Sequence, residues 1–396
     1  MIPLMKNAFS NEKETCNKLA EFLKKAPKLS MGSYCEEFEK EFSQWQGRKY
    51  SILVNSGGSA NFLLMQVLKN IGKIKKGDNI GFSSLTWATN VMPIIQHGMN
   101  PIPIDCDINT LNVMSKSLEE AIFKYNLKAF FATNVLGFSG DLEKIRSICD
   151  RYGILFIEDN CEALGTILTS NGAGGGGSKT GNFGVASTFS FFVAHHMSTI
   201  EGGMICTDDD EIAMNLIMSR ANGWDRNLPK IAQEIMRNKY KIESEFKSKY
   251  TFYDIGMNVR PTEITGFLGC EQMNTLNDNL VIRDRNFKEI NEMIKNNKEL
   301  MNICLDYLSF IPAFSIPIIV KYHDLKEKYF NRFKDKVEIR PIIAGNITKN
   351  QPFWKKYIKK DYNLEITDYI DQNGFYFTND PALTREDLNV IKELLK

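Results

Sequence analysis

The sequence predicts an α/β fold with a mostly parallel sheet, on two observations. Short apolar runs alternate with amphipathic helical stretches through the first two-thirds of the chain, and no segment repeats at a solenoid period. The runs that read as strands are 51–54, 79–82, 102–104, 129–132, 154–157, 188–192 and 203–206. Helix-period segments, such as 57–71 and 141–152, lie between several of them. Strand, helix, strand at this spacing is the pattern of parallel strands joined by crossovers, with helices covering both faces. The stretch 171–181, NGAGGGGSKTG, has no apolar period and no helix start after it, so it reads as a flexible surface loop rather than a phosphate cradle. From 229 to 249 the chain turns charged and polar, an excursion between elements of the large domain. After about Pro261 a long helical pattern leads into a smaller α+β region, in which 338–342 and 374–377 read as strands. At 396 residues the chain exceeds the range of one core, and the expected division is a large domain 1–260 and a small C-terminal domain 261–396.

A formal net charge of +1 gives no electrostatic reason to expect nucleic acid or an acidic membrane as partner. No apolar stretch is long and uncharged enough to span a bilayer. Residues 1–11 lack a basic region followed by an apolar run, which argues against secretion and for a cytoplasmic protein. The eight cysteines show neither CxxC nor His/Cys spacing for a metal, so they read as reduced, buried thiols, and no metal site is expected.

Three motifs carry chemistry. In Val54-Asn-Ser-Gly-Gly-Ser-Ala-Asn61 a strand passes into a helix through Gly57 and Gly58. Free N–H groups at a helix N-terminus favour an anion, phosphate above all, although a Gly-Gly turn can also be only a turn. In Phe156-Ile-Glu-Asp-Asn-Cys-Glu-Ala-Leu-Gly165 an apolar strand ends in Glu158 and Asp159. Ligands of open α/β sheets gather at the carboxyl ends of strands, and a carboxylate there can keep a pyridine nitrogen protonated. A helix cap is the competing reading. In Thr188-Phe-Ser-Phe-Phe-Val-Ala-His-His-Met-Ser-Thr-Ile-Glu-Gly-Gly203, two of the chain's four histidines adjoin, His195 and His196. Strand alternation would let one of the two face a site. Neither His97 nor His323 stands at metal-ligand spacing to them.

Together these motifs resemble the sugar-aminotransferase family of pyridoxal-phosphate enzymes, collinearly from about Leu29 to the C-terminus. Members carry a Ser-Gly-Thr turn matching Ser56-Gly57-Gly58, a Thr-aromatic-x-Ala-Thr stretch similar to Thr86-Trp87-Ala88-Thr89, Glu-Asp after a strand, and Asn-x-Arg matching Asn258-Val259-Arg260. Their cofactor lysine stands five residues after a serine and six before Glu-Gly-Gly. Here Ser190 and Glu201-Gly202-Gly203 are in place and His195 occupies the lysine position, with no lysine between Lys179 and Lys230.

The resemblance implies the aspartate-aminotransferase-type fold, known as fold type I, and pyridoxal 5'-phosphate or pyridoxamine 5'-phosphate as cofactor. It also implies a homodimer with shared active sites. Within the family, histidine for lysine marks the sugar 3-dehydratases, which remove the C3 hydroxyl of a nucleotide-linked 4-keto-6-deoxyhexose with glutamate as amino donor. The stretches Glu158–Glu162, Ala194-His-His-Met197, Asn222-Gly-Trp-Asp-Arg-Asn-Leu-Pro229, Asn258-Val-Arg-Pro261 and Arg340-Pro-Ile-Ile-Ala-Gly-Asn346 match that branch. Related CDP-sugar dehydratases bind an iron–sulfur cluster through C-terminal cysteines. Only Cys270 and Cys304 follow Cys206 here, so no cluster is expected and a GDP-linked sugar is favoured.

By the same resemblance His195 is the catalytic base, Trp87 stacks on the cofactor ring, Asp159 pairs with its nitrogen and Glu162 contacts its hydroxyl. Ser190, Gly57 and Gly58 hold the phosphate. Asn258 (cofactor) and Arg260 (substrate) reach in from the neighbouring subunit, and Asn222, Arg226 and Arg340 also bind substrate. Asn222 departs from the branch, which has histidine there. His196 is left as structural or substrate-orienting. Imidazole accepts a proton near neutral pH but forms no stable imine, so replacing lysine keeps proton transfer and removes the group that displaces bound substrate. The alternatives are a sugar aminotransferase working without lysine, a CDP-sugar dehydratase, and an idle relative that only binds nucleotide-sugar.

Overall fold

The computed structural model describes residues 1–169 and 177–396. A seven-stranded sheet forms the centre, built from β1 (Tyr50–Val54), β2 (Asn79–Ser83), β3 (Asn100–Ile104), β4 (Leu127–Thr133), β5 (Leu155–Asp159), β8 (Ala186–Ser190) and β9 (Gly203–Thr207), in the order β1-β9-β8-β5-β4-β2-β3. Pairings are parallel except those of β9, which runs antiparallel between β1 and β8. The alternation read from the sequence is visible in β4. Phe130 joins one apolar cluster with Phe156 and Ile145, while its neighbours Ala129 and Phe131 join another with Ile157 and Leu64. Each strand therefore sends successive side chains to opposite faces, and helices cover both. The helix Gly57–Asn70 buries Leu63, Leu64, Val67 and Leu68 on one face. The helix Leu142–Tyr152 buries Leu142, Ile145 and Ile148 on the other.

Several boundaries differ from the sequence reading. The expected strand 188–192 ends at Ser190, because its partner β9 begins at Gly203 opposite Ser190. Phe191 then bonds across the turn to Gly202 and Thr199, and residues 193–198 leave the sheet as a loop. Of the stretch 171–181, residues 171–176 lie outside the described residues. Ser178–Lys179 is not loop but a short strand, β7, antiparallel to β6 (Ile167–Leu168), which pairs in turn with β10 (Leu308–Phe310). The polar excursion contains two helices, Lys230–Lys239 and Glu245–Ser248, the first with no buried residue.

Past Thr262, whose hydroxyl accepts from the Thr265 N–H, a 34-residue helix runs from Glu263 to Asn296. At about 1.5 Å per residue it spans roughly 50 Å and lies along both parts of the molecule. The C-terminal sheet pairs β11 (Ser315–Ile319) with β13 (Gly374–Thr378) and β13 with β12 (Ile339–Arg340), all antiparallel. β12 is shorter than the expected 338–342 because Pro341 follows and offers no N–H to the ladder.

Candidate active site

The carboxyl ends of β5 and β8 lie side by side, with that of β1 beyond the start of β9, and most of the residues singled out in the sequence gather there. Ser56 caps the helix Gly57–Asn70, its hydroxyl accepting from the Ser59 N–H at 3.0 Å. That leaves the N–H groups of Gly57 and Gly58 without an intrahelical acceptor, at the positive end of the helix dipole. A Cβ at Gly57 would stand 2.6 Å from Cβ of Ser190 and 3.0 Å from Sγ of Cys161, so no side chain fits there. Gly57, Gly58 and the Ser190 hydroxyl form one cradle with the character of an anion site.

Glu158 and Asp159 end β5 and point to opposite faces. Asp159 is 3 % exposed. Its Oδ2 accepts from Asn61 Nδ2 and Asn90 Nδ2, each at 2.7 Å, and its Oδ1 from the Cys161 N–H at 2.8 Å. Three donors hold the carboxylate rigidly on the cradle side. Glu158, fully buried on the other face, accepts from the N–H groups of Gly181 (2.8 Å), Phe183 (2.8 Å) and Gly184 (2.7 Å). It pins the chain that returns after the glycine-rich stretch. The helix-cap reading holds for neither carboxylate, since no helix starts at the groups they bond: Glu158 fixes the returning chain and Asp159 faces the cradle.

His195 stands on the loop after β8, half-buried, its Nδ1 2.5 Å from the Cys161 carbonyl oxygen. A carbonyl only accepts, so Nδ1 carries the proton and Nε2 presents its lone pair. Burial pushes the imidazole down to about 4, against the opposing pull of the Cys161 carbonyl and Asp159, and Arg283 nearby pushes the same way as burial. His195 is thus a neutral base at physiological pH, poised by a carbonyl two residues beyond Asp159. Glu162 accepts the Leu136 N–H at 2.8 Å, and burial raises its carboxyl to about 8. At neutral pH it is a carboxylic acid with a proton to donate. Trp87, 57 % exposed, is the N-cap residue of the helix Ala88–Gln96, three residues before Asn90, which bonds Asp159.

The remaining predicted residues lie on neighbouring segments, and Val259, between Asn258 and Arg260, accepts the Asn55 N–H at 3.1 Å beside the cradle. Asn222, Arg226 and Asn258 are exposed and Arg260 is half-buried. The backbone joins two of the segments, through the Ala221–Asn258 bridge and the Asn222 N–H to the Met257 carbonyl at 3.1 Å. The guanidinium of Arg226 stacks over the Trp224 ring at 5.3 Å. Arg340 lies on β12, paired with Glu338, in register with Tyr376 of β13.

Several site residues escaped the sequence reading. Asn61 and Asn90 hold Asp159, the Cys161 carbonyl holds His195, and Phe314 packs its ring 5.2 Å from the His195 ring. Tyr376 stands within 6.3 Å of Phe314, and Glu162 nearby helps burial push its phenol up. Asn61 closes the first motif and was within reach; Asn90, Phe314 and Tyr376 carry no local signal. The strand-alternation premise for the two histidines also fails. They lie in a turn, and both line one cavity.

This arrangement matches known proteins over its whole length. The model of the DegT/DnrJ/EryC1/StrS aminotransferase family matches residues 10–396. The chain is 33% identical over 380 residues to GDP-4-keto-6-deoxy-D-mannose 3-dehydratase of Escherichia coli O55:H7, covering 93% of each. It is equally 33% identical to the protein of that name from Yersinia pseudotuberculosis, over 93% of this chain and 92% of the other. The structure of GDP-4-keto-6-deoxymannose-3-dehydratase with bound GDP-perosamine superposes with a TM-score of 0.89 at 30% identity, covering 100% of both chains. An aminotransferase from Psychrobacter cryohalolentis, 19% identical, shares the fold at a TM-score of 0.83, covering 96% of this chain and 95% of that one. With a buried carboxylate, an anion cradle and a histidine at the lysine position set in this fold, the chain belongs to the DegT/DnrJ/EryC1/StrS aminotransferase family.

Proposed function

We propose that the protein is a pyridoxal-phosphate-dependent sugar 3-dehydratase, removing the C3 hydroxyl of a GDP-linked 4-keto-6-deoxyhexose with glutamate as amino donor, for 3,6-dideoxysugar synthesis. The observation that carries this reading is His195. It occupies the lysine position as a neutral base whose proton is held on Nδ1 by the Cys161 carbonyl.

The residues present fit the cofactor. The Gly57–Ser190 cradle admits no Cβ yet offers N–H groups and a hydroxyl, as a phosphate needs. Asp159 would receive the pyridinium and Trp87 the face of the ring. Pyridoxamine phosphate, when bound, supplies an amine to condense with the C4 ketone and a protonated ring to draw electrons. Asp159 holds the ring nitrogen protonated, and its three donors keep it from turning away. Glu162 donates its carboxylic proton to the ring hydroxyl. With the cofactor bound, His195 would take up through Nε2 the proton that leaves next to the ring as the C3 hydroxyl of the sugar departs. Release of the product as 3-deoxy-4-keto sugar then frees ammonia.

The domain division, the shared site and the substrate contacts belong to the same reading. Residues 1–260 form the cofactor domain and 261–396 the small domain. Asn258 and Arg260 serve the neighbouring subunit of a homodimer, with Asn222, Arg226 and Arg340 on the nucleotide-sugar. The exposure of Asn222, Arg226 and Asn258, and the absence of buried residues in Lys230–Lys239, support a site shared between subunits. No described helix is long and apolar enough to cross a membrane. A working place in the cytoplasm suits a nucleotide-sugar substrate.

Incubation with GDP-4-keto-6-deoxymannose, pyridoxal phosphate and glutamate tests the proposal. The expected products are ammonia, 2-oxoglutarate and a sugar lacking the C3 oxygen, in equal amounts. A 4-amino sugar without ammonia would make the protein an aminotransferase instead. Failure to bind the cofactor would leave the idle-relative reading.

A further inference from the structure

Beside His195 lies a cavity of ≈ 360 Å³, bounded by residues 193–198, the N-terminal residues 4–11, the helix Glu263–Asn296, Phe314 and residues 380–382. Arg283 lines it and is 4% exposed. Its Nη1 donates to the carbonyls of Phe314 (3.1 Å) and Asn379 (2.9 Å), but its Nε has no partner, and no carboxylate among the described residues comes within ion-pair distance. Asp284, the next residue, pairs with Lys288 and accepts from the Ile311 N–H. Asp380, on the cavity wall, accepts from the N–H groups of Ala382 (2.8 Å) and Lys6 (3.1 Å), and Asp278 stands exposed at the rim.

His196 lines the same cavity. Its Nε2 lies 2.7 Å from the Pro312 carbonyl, so the proton is on Nε2 and Nδ1 is a bare acceptor, buried and without a partner among the described residues. A buried guanidinium with no carboxylate in ion-pair contact is unfavourable, since Asp380 attracts it only from a distance, and an orphaned acceptor adds to it. Neutral sugar hydroxyls could satisfy Nδ1 but would leave the cation unpaired. An amino acid satisfies both, with a carboxylate for the guanidinium and an N–H for the imidazole.

We propose that this cavity receives the amino donor, an α-amino dicarboxylate, with Arg283 binding one carboxylate and His196 orienting the amine beside His195. This rests on the reading that glutamate supplies the amino group. Binding of 2-oxoglutarate and of GDP to the purified protein without cofactor, by calorimetry, separates the two. Arg283→Gln should weaken 2-oxoglutarate by about 10- to 100-fold, the range for a hydrogen bond to a charged group, and leave GDP within about twofold. Arg283→Lys should recover part of the loss. Equal losses for both ligands, or none for 2-oxoglutarate, would overturn the proposal.

A second measurement needs no variant. Glutarate should raise the melting midpoint of the unmodified protein and glutaramide should not, since ligands that bind the native state stabilise it. An equal response to the two, or no response to glutarate, also overturns it. If 2-oxoglutarate binding depends on Arg283 while no sugar is dehydrated, the carboxylate assignment stands and the dehydratase reading fails. If sugar is dehydrated and Arg283→Gln leaves 2-oxoglutarate binding intact, the reverse holds.

Discussion

Glu158 and Asp159 are chemically near-identical neighbours, both buried, both accepting three short hydrogen bonds, yet they have different tasks. All three short bonds to Glu158 come from the backbone N–H groups of Gly181, Phe183 and Gly184, so its carboxylate organises the path of the chain behind the sheet. Two of the three donors to Asp159 are side-chain amides, Asn61 and Asn90, brought from two different helices that begin at the cradle. A carboxylate tied to backbone is part of the scaffold. One steered by side chains at the mouth of a site is aimed at something.

The largest effect should come from the base on the Asp159 side. His195→Lys should bind pyridoxal phosphate covalently, visible as a shifted absorption band, and lose sugar dehydration by about 10²- to 10⁴-fold, the usual worth of a positioned base. Dehydration at the parental rate would show that His195 is not that base. Next, Asp159→Asn keeps the shape but not the charge, and turnover should drop by about 10²- to 10³-fold with the folded state largely retained. Glu158→Gln should do the opposite. It should destabilise the protein by about 1–3 kcal/mol, read from chemical denaturation, while each folded molecule turns over at the parental rate. If the two variants exchanged phenotypes, the division between front and back of β5 would be wrong.

The smallest effect is in pH. His195 is held near 4 in the folded protein against an ordinary value of 6.5, so it stays a base well below neutrality. The acid limb of kcat/KM should therefore not break between pH 6 and 7, and a break there would mean a solvated imidazole. The same depression has a sign for stability. The unfolded chain takes up the proton first, so the contribution is whole above about pH 6.5 and is lost as pH falls towards about 4. A urea midpoint that rises on acidification through that range would contradict it.

Much of the site was legible because its parts are local. A strand running into Gly57-Gly58, an apolar strand ending in Asp159, and Ser190 five residues before His195 each place a group at the end of an element through spacing alone. The seven central strands were legible for the same reason, as apolar runs buried on both faces. The strands of the C-terminal part were harder to read. β11 lies outside the strands read from the sequence because its pairing with β13 joins segments about 60 residues apart, and β12 is shorter than expected because Pro341 ends its ladder. The alternation premise for His195 and His196 fails for another reason. The alternation argument holds only inside a strand, and β8 had already ended at Ser190.

The sequence on its own determined the class of chemistry. Residue type at a given spacing places a carboxylate, a glycine turn and a histidine at strand ends, and the backbone periods of 2.0 and 3.6 do the rest. Only the tertiary structure decided which donors hold each of the two adjacent carboxylates, which nitrogen of His195 is free, and that Arg283 lines the cavity beside it without an ion-pair partner. Those depend on Asn90, the Cys161 carbonyl and Phe314, groups that meet only when the chain is packed. Hydrogen bonding and burial are properties of neighbours in space, and the linear order of residues does not name those neighbours.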